Sequence, residues 1–245
     1  YQNSIEQHFD LRGSSIFLND NHGFSIEGNS YSDDFGSSVL CVTGWTLTEG
    51  DIMRNKWWRN KALTNLEIEG PVIVDVVNNF FGRQIISPSP HIPAKNITLA
   101  GIPAFDEWNT VEILFNTFAA ADTGIEIQGY SDVEIQYNIF TELTNAIKRI
   151  GTEPAIMLIN NNLYYHTSNG DGSHTNPIYN DPKLVDVANG DFHIQLGSGA
   201  IDKAYAEDFN IDIDGEGRPV GIGVTPYDLG ADEYQTHLYL PLIIR

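Results

Sequence analysis

The stretch VEIQYNIF, residues 133–140, is one copy of a pattern that recurs along the chain. In each copy, apolar residues alternate with other residues, and an asparagine and a large apolar residue follow. Self-similarity of this kind is the sequence signature of a repeat architecture. The sequence therefore predicts a stack of similar units. The other copies are VDVVNNFF (74–81), VEILFNTF (111–118) and IMLINNNL (156–163), and the shared asparagines are Asn79, Asn116, Asn138 and Asn161.

The repeat unit consists of two short alternating stretches joined by a turn that contains glycine. LEIEGPVIVDVVNNFF (66–81) and IEIQGYSDVEIQYNIF (125–140) align along their whole length without a gap. Alternation of apolar and polar residues indicates β-strands, and the short unit has no room for a helix as well. The predicted fold class is all-β, a solenoid whose strands stack on the equivalent strands of the next coil.

The alternation also predicts which side chains fill the interior. Val133 and Ile135 are expected to point inward, and the equivalent residues of neighbouring coils to lie above and below them. Neighbouring coils are ~4.8 Å apart, so the repeated asparagines can pass amide hydrogen bonds along the stack, as amide ladders do elsewhere. The expected inward neighbours are Val111, Ile113, Ile156 and Leu158, with Phe118 and Phe140 in the same core.

Two parts of the sequence resemble known families. Coils such as GIEIQGYSDVEIQYNIF (124–140) resemble the right-handed parallel β-helix of the pectate lyase-like superfamily. The ordered motifs NDPKLVDVANGDFHIQLGSGAIDKA (180–204), DIDGEGRP (212–219) and DLGADEY (228–234) resemble the terminal segment of choice-of-anchor Q proteins. The resemblance implies a secreted or cell-surface protein with one parallel β-helix domain over 1–245, in which 181–245 form an acidic C-terminal segment and cap.

Composition restricts the partners. The formal net charge is −20, from 33 acidic residues against 13 lysines and arginines. This balance argues against nucleic acid, whose phosphates need a basic surface, and against unaided binding of polyanionic pectin or alginate. No apolar stretch approaches the ~20 residues of a membrane-spanning helix, so membrane insertion is not expected. The single cysteine, Cys41, excludes an internal disulfide framework.

Acidic residues occupy repeated template positions. Asp75, Glu112 and Glu134 share one position, and Glu67 and Glu126 share another in the preceding strand. All are expected to face outward. Carboxylates in such rows can hold a cation or a sugar, and a pair of them can serve acid–base glycoside cleavage. The alternative is a solvated charged face.

Adjacent basic residues stand out in a chain with few bases. Lys148 and Arg149 lie in AIKRIG (146–151), and Arg83 is a similar case. β-Elimination of a uronic acid needs a base and a cation that stabilises the developing charge. Lys148, Arg149, Glu126 and Glu134 are therefore the candidate catalytic residues. The alternative is ordinary ion pairing, for example between Lys148 and Glu126 of the neighbouring coil.

A partial calcium motif lies near the C-terminus. Asn210, Asp212 and Asp214 precede Gly215 with the spacing of a calcium loop. Position twelve of that loop is Gly221 rather than the usual glutamate. These three residues are the candidate metal ligands, and Ca²⁺ is the candidate cofactor. The alternative is a turn whose aspartates cap backbone amides while Arg218 pairs with Asp228 or Glu233.

Aromatic residues supply the candidate sugar contacts, because their faces stack on sugar rings. Trp57 and Trp58 must point to opposite sides of a strand, so one of them is expected in the core. We expect a long loop at 164–180. The seven histidines show no zinc-binding spacing. The candidate substrate-binding residues are Trp58, Trp108, Tyr164 and Tyr165, and packing under loops is the alternative.

These observations predict a secreted or cell-surface β-helix module associated with carbohydrate. The expected partner is a polysaccharide or glycan, and the expected role is binding or structural rather than catalytic. Two alternatives remain open. The first is a polysaccharide lyase or glycoside hydrolase that acts on the flank of the helix, and the second is a surface spacer or adhesin without sugar specificity. Since the chain begins at Tyr1 without a visible signal peptide, we expect a mature or excised piece of a longer protein.

Overall fold

The computed structural model confirms the predicted all-β solenoid. Among the described residues, three parallel sheets of seven strands each form a parallel β-helix. The structure describes residues 4–5, 14–20, 22–32, 34, 36–44, 48–82, 95–101, 108–205, 209–219 and 226–235. Within these residues, no helix has the length and hydropathy needed to cross a bilayer.

Each coil contributes one strand to each sheet, in the order first, second, third. The first sheet contains β2 (Ser14–Asn19), β5 (Ser38–Thr43), β8 (Thr64–Glu69), β11 (Lys95–Ala100), β14 (Thr123–Ile127), β17 (Asn145–Arg149) and β20 (Ser168–Gly170). The second contains β3 (His22–Glu27), β6 (Thr48–Met53), β9 (Val72–Val77), β12 (Asn109–Leu114), β15 (Ser131–Gln136), β18 (Ala155–Asn160) and β21 (His174–Thr175). The third contains β1 (Ser4–Ile5), β4 (Ser30–Ser32), β7 (Lys56–Trp58), β10 (Phe80–Phe81), β13 (Thr117–Ala119), β16 (Ile139–Thr141) and β19 (Leu163–Tyr165).

The chain then leaves the solenoid. A short antiparallel pair follows, formed by β22 (Leu184–Asp186) and β23 (Asp191–Ile194) and joined by a 3-10 turn at Val187–Asn189. The long loop predicted at 164–180 is wrong, because β19, β20 and β21 extend the stack through part of one more coil.

The core follows the predicted alternation in the central coils. Val111 and Ile113 pair in register with Val133 and Ile135, and all four are buried. Phe118 and Phe140 belong to the same core.

The expected inward position of Ile156 and Leu158 is wrong. β18 places Met157 beside Val133 and Ile159 beside Ile135, so the strand lies one residue out of the template register. Ile156 and Leu158 face outward and are 58% and 47% exposed. A one-residue shift reverses every side chain of a strand, and IMLI offers apolar side chains in either register.

An asparagine ladder runs along the corner between the second and third sheets. Asn116 donates from its side-chain amide to Oδ1 of Asn138 at 3.2 Å, and Asn138 donates in the same way to Asn162 at 3.0 Å. Asn162 therefore occupies the position predicted for Asn161, which is a half-buried turn residue with φ of 49°. The complete ladder is Asn29, Asn55, Asn79, Asn116, Asn138 and Asn162.

Aromatic rings form a second ladder inside the third sheet. Trp57 stacks on Phe81 with ring centroids 4.5 Å apart, and the next rings are spaced by about one coil. Trp57 is fully buried, whereas Trp58 faces outward and is half-buried. This confirms the prediction that the two residues point to opposite sides of the strand. The stack consists of Tyr31, Trp57, Phe81, Phe118, Phe140 and Tyr164.

The acidic C-terminal segment packs along the outer side of the third sheet. Leu229 and Ala200 bury outward-facing Ile139 and Leu163 of that sheet. Gly230 donates its backbone N–H to the carbonyl of Tyr137 at 2.8 Å. The third sheet is thereby covered, whereas much of the outer face of the second sheet stays accessible.

Candidate functional site

Four carboxylates lie in a row on the outer face of the second sheet, one in each of four successive coils. Asp51 pairs in register with Asp75, Asp75 with Glu112, and Glu112 with Glu134. We call these four residues the acid column. The shared position of the last three confirms the template prediction, and the structure adds Asp51. Glu112 is exposed and the others are half-buried.

Most carboxylates of the acid column have no partner within the described ranges. Gln136 donates a hydrogen bond to Glu134. Among the described residues, no group donates a hydrogen bond to Asp51, Asp75 or Glu112, and none forms an ion pair with them. These three side chains can therefore accept hydrogen bonds from an outside molecule.

The environment of the column raises the pKa of two of its carboxyl groups. Burial, together with the charges of Glu112 and Asp51, raises the pKa of Asp75 to about 6. Burial and Glu134 also raise the pKa of Glu112. Like charges on directly paired residues repel one another. A ligand that donates hydrogen bonds to these carboxylates would replace the hydration that burial removes.

The strands around the acid column lack basic residues. The sequences of β6, β9, β12, β15 and β18 contain no lysine or arginine. Trp108 and Tyr130 precede β12 and β15, and their rings meet edge to face with centroids 6.0 Å apart. An aromatic pair therefore lies at the N-terminal ends of two strands that carry the column.

The structure does not bring the four candidate catalytic residues together. Glu126, Lys148 and Arg149 lie on the first sheet, in β14 and β17, whereas Glu134 lies on the second. Glu126 is on the outer side of its strand, as expected, but it is only 4% exposed. Glu67 of the same row is half-buried.

The ion pair between Lys148 and Glu126, named as an example of the alternative, does not form in the described part of the chain. The two residues are register neighbours, but Glu126 forms its ion pair with Lys95, at 2.5 Å, and accepts a hydrogen bond from Gln128 at 3.0 Å. The guanidinium of Arg149 donates to the carbonyl of Glu153. Arg83 lies outside the described residues.

The four aromatic candidates lie in different places. Trp58 packs edge to face on Phe192 of the C-terminal segment, with centroids 5.7 Å apart. Tyr164 is 3% exposed within the core stack, so its ring faces are closed to a sugar. Tyr165 is half-buried and stacks on His166. Of the four, Trp108 stands beside the acid column's sheet.

The proposed calcium loop is a turn held by Asp212. This side chain is fully buried, and its Oδ1 accepts the backbone N–H groups of Asp214 and Glu216 at 3.0 and 2.8 Å. The side chain of Asp214 turns to Lys56 and His193, and Asn210 is exposed. Ca²⁺ binding by Asn210, Asp212 and Asp214 stays a prediction, and these contacts match the capped-turn alternative.

Arg218 anchors the same segment. It is 3% exposed, donates to Oδ1 of Asn78 at 2.7 Å and has its Nε 3.4 Å from Glu233. The predicted pairing with Glu233 is therefore confirmed. Its guanidinium also lies over the ring of Phe115, 4.5 Å from the centroid.

The sequence did not predict a cluster of side chains around His193. Nε2 of His193 lies 2.5 Å from Asp214, and Nδ1 lies 2.5 Å from Asp191. The hydrogen bond to Asp214 raises the pKa of His193 to about 9, and the same bond lowers the pKa of Asp214 to about 2. No spacing in the sequence could indicate this group, because its members come from separate segments.

Comparisons with known proteins do not extend these observations. No protein-family model matches the chain, and no curated protein or solved structure is significantly similar to it. The resemblances to the pectate lyase-like superfamily and to choice-of-anchor Q proteins therefore rest on their motifs. The structure shows a parallel β-solenoid.

Proposed function

We propose that this chain is a secreted or cell-surface module that binds a neutral polysaccharide along the acid column. The observation that carries the proposal is the line of carboxylates of Asp51, Asp75 and Glu112, which have no partner among the described residues. Sugar hydroxyls are hydrogen-bond donors, and hydrogen bonds to charged acceptors contribute about 1.5–3 kcal/mol each.

The direction of the column favours an extended ligand. Its carboxylates follow the axis of the solenoid at the spacing of the coils, ~4.8 Å. A polysaccharide chain that runs parallel to the axis meets a new carboxylate at each coil. Trp108 and Tyr130 lie at the N-terminal ends of β12 and β15 in the same sheet, where an aromatic face can stack on a sugar ring.

Charge selects the class of polysaccharide. The chain carries a net charge of −20, and the column's strands contain no basic residue. A polyanionic glycan would be repelled unless a bound cation reversed the local charge. Calcium is the proposed cation, because adjacent carboxylates are suitable calcium ligands.

The placement of the candidate catalytic residues favours binding over cleavage. A lyase needs a base beside the stabilising cation and the substrate carboxylate. Lys148 and Arg149 lie on the first sheet, away from the acid column of the second. Cleavage at the column would have to rely on carboxylates alone.

A glycan array with and without calcium tests the proposal. The proteins are the wild type, the double variant Asp75→Asn/Glu112→Gln and the control Glu142→Gln, whose exposed acid lies outside the column. We expect neutral glycans to bind the wild type and the control but not the double variant. Signal confined to anionic glycans with calcium would contradict neutral recognition, and no signal at all would favour a spacer.

A product assay on the glycans that bind separates binding from catalysis. Each glycan is incubated with the wild type, and reducing ends and unsaturated uronate are measured. We expect neither product to accumulate above the level in a buffer control. Turnover would overturn the binding proposal and favour a lyase or glycoside hydrolase.

A further inference from the structure

Within the described residues, one group of side chains has the composition of a transition-metal site. His193, Asp214 and Asp232 each offer one ligand atom, and these atoms all lie within 4.8 Å of one another. The three residues come from β23, from the turn capped by Asp212 and from the segment after Gly230. The group lies beside the third sheet, away from the acid column.

His193 is oriented as metal-binding histidines are. Its Nδ1 hydrogen-bonds to Oδ1 of Asp191 at 2.5 Å, and its ring packs edge to face on Phe80 with centroids 5.2 Å apart. Metal-ligating histidines almost always bond through their other nitrogen to a carboxylate or a carbonyl, which fixes the ring. Here that contact directs Nε2 toward Asp214.

Asp232 is the second feature that favours a cation at this cluster. The residue is 7% exposed, and one of its oxygens accepts the backbone N–H of Ile194 at 2.7 Å. The other oxygen has no hydrogen-bond partner in the part of the chain that the structure describes. Buried charges in proteins are usually paired or coordinate metals, so a bound cation would stabilise this carboxylate.

Carboxylates crowd around His193. Three of them (Asp191, Asp214 and Asp232) surround one imidazole, and Lys56 lies 3.1 Å from Asp214. A divalent cation held between these carboxylates would offset their mutual repulsion.

We propose that His193, Asp214 and Asp232 bind a divalent transition metal, for which Zn²⁺ is the best fit. Zinc accepts imidazole nitrogen and carboxylate oxygen at about 2.0–2.2 Å, whereas calcium takes oxygen ligands. Tetrahedral bonds of that length place ligand atoms about 3.4 Å apart, so Nε2 of His193 and the carboxylate of Asp214, now 2.5 Å apart, would separate slightly as the metal takes the place of their hydrogen bond. Asp191 is a positioning residue, and water completes the coordination.

Bound zinc would fasten the C-terminal segment. The three ligands belong to separate stretches of that segment, and the Lys56–Asp214 ion pair connects them to β7 of the solenoid. A metal that binds the folded state raises the melting temperature as its concentration exceeds the dissociation constant.

The experiment uses untagged protein treated with a chelator and titrated with zinc chloride by calorimetry. We expect one zinc ion per chain, a raised melting temperature, and no comparable effect of calcium or magnesium. His193→Gln and Asp232→Asn should abolish this binding, and Asp191→Asn should weaken it about 10–100-fold. The control His166→Gln changes an exposed histidine outside the cluster and should bind zinc normally.

A spectroscopic measurement on the wild type does not depend on the folding of any variant. Cobalt(II) in place of zinc should give the intense visible absorption of a four-coordinate site, and X-ray absorption should show one imidazole among oxygen ligands. Absence of zinc binding by the wild type would overturn the proposal. Unchanged affinity in a folded His193→Gln variant, or equal stabilisation by calcium, would also contradict it.

Discussion

Asn138 donates from its side-chain amide to Oδ1 of Asn162, 3.0 Å away in the next coil. The backbone N–H of Asn138 bonds to the same oxygen at 2.8 Å, and Asn162 in turn donates to the carbonyl of Ile135 at 2.7 Å. One side chain therefore satisfies three polar groups in the interior. Buried polar groups left without partners cost about 1–3 kcal/mol each.

The ladder predicts different costs for two adjacent asparagines. Asn162→Ala should lower the free energy of unfolding by about 2–4 kcal/mol, because several buried groups lose their partners. Asn161→Gly removes a side chain outside the ladder, and glycine accepts the positive φ at this position. We expect that change to cost less than ~1 kcal/mol. Urea denaturation measures both, and equal costs would contradict the assigned register.

The register of β18 predicts a second contrast. Ile135→Asn places an unpaired amide in a fully buried position and should cost at least ~3 kcal/mol. Ile156→Asn makes the same substitution at a position that is 58% exposed, so its effect should stay within ~1 kcal/mol. Thermal melts of the two variants decide the matter. A larger loss of stability for Ile156→Asn would mean that β18 follows the template register.

Asp75 predicts a pH dependence of stability. Its pKa is raised from the ordinary 3.8 to about 6, so its contribution is most favourable below pH 3.8 and is lost as pH rises through about 6. Asp75→Asn should therefore be more stable than the wild type at pH 7 but not at pH 3.8. Because the carboxyl is half-exposed, we expect a gain of only ~1 kcal/mol.

Urea denaturation at the two pH values checks this dependence. Glu142→Gln, which changes an exposed acid outside the column, should show no such difference between the two pH values. A gain for Asp75→Asn of the same size at both pH values would mean that the carboxyl is not strained by its neighbours.

Arg218 predicts the cost of removing a buried charge. Arg218→Met keeps much of the side chain's volume but leaves buried Glu233 without its cation, so we expect a loss of about 3–5 kcal/mol. Arg54→Met breaks an ion pair with Glu27 whose side chains are 26% and 41% exposed, and should cost less than ~1 kcal/mol. For Arg218→Met, hydrogen exchange should show the loss of protection in residues 209–235. Equal effects of the two variants would show that Arg218 does not anchor the segment.

The sequence predicted the fold because the same local pattern is written in several coils. One copy, VEIQYNIF, indicates only a strand and a turn, but the aligned copies fix the stacking partners of Val111 and Val133. The prediction was wrong at 156–163, where four apolar residues precede three asparagines. Both registers satisfy that composition, and packing against Val133 and Ile135 selects between them.

The candidate site was only partly predictable for the same reason. The acid column repeats with the coils, so its alignment follows from the template. The cluster around His193 depends on how the C-terminal segment folds back on the third sheet, and no local pattern encodes that contact. Burial of Glu126 and Tyr164 also arises from tertiary packing, which alternation along a strand cannot report.

Affinity for the glycan that binds most strongly on the array tests the central claim most directly. Calorimetry compares the wild type with Asp75→Asn/Glu112→Gln and with Glu142→Gln. Since Asp75→Asn is expected to stabilise the fold at pH 7, weaker binding by the double variant cannot be attributed to unfolding. We predict an affinity at least ~10-fold lower for the double variant, which corresponds to ~1.4 kcal/mol, and no change for Glu142→Gln. Unchanged affinity in the double variant would show that the acid column is not the binding face.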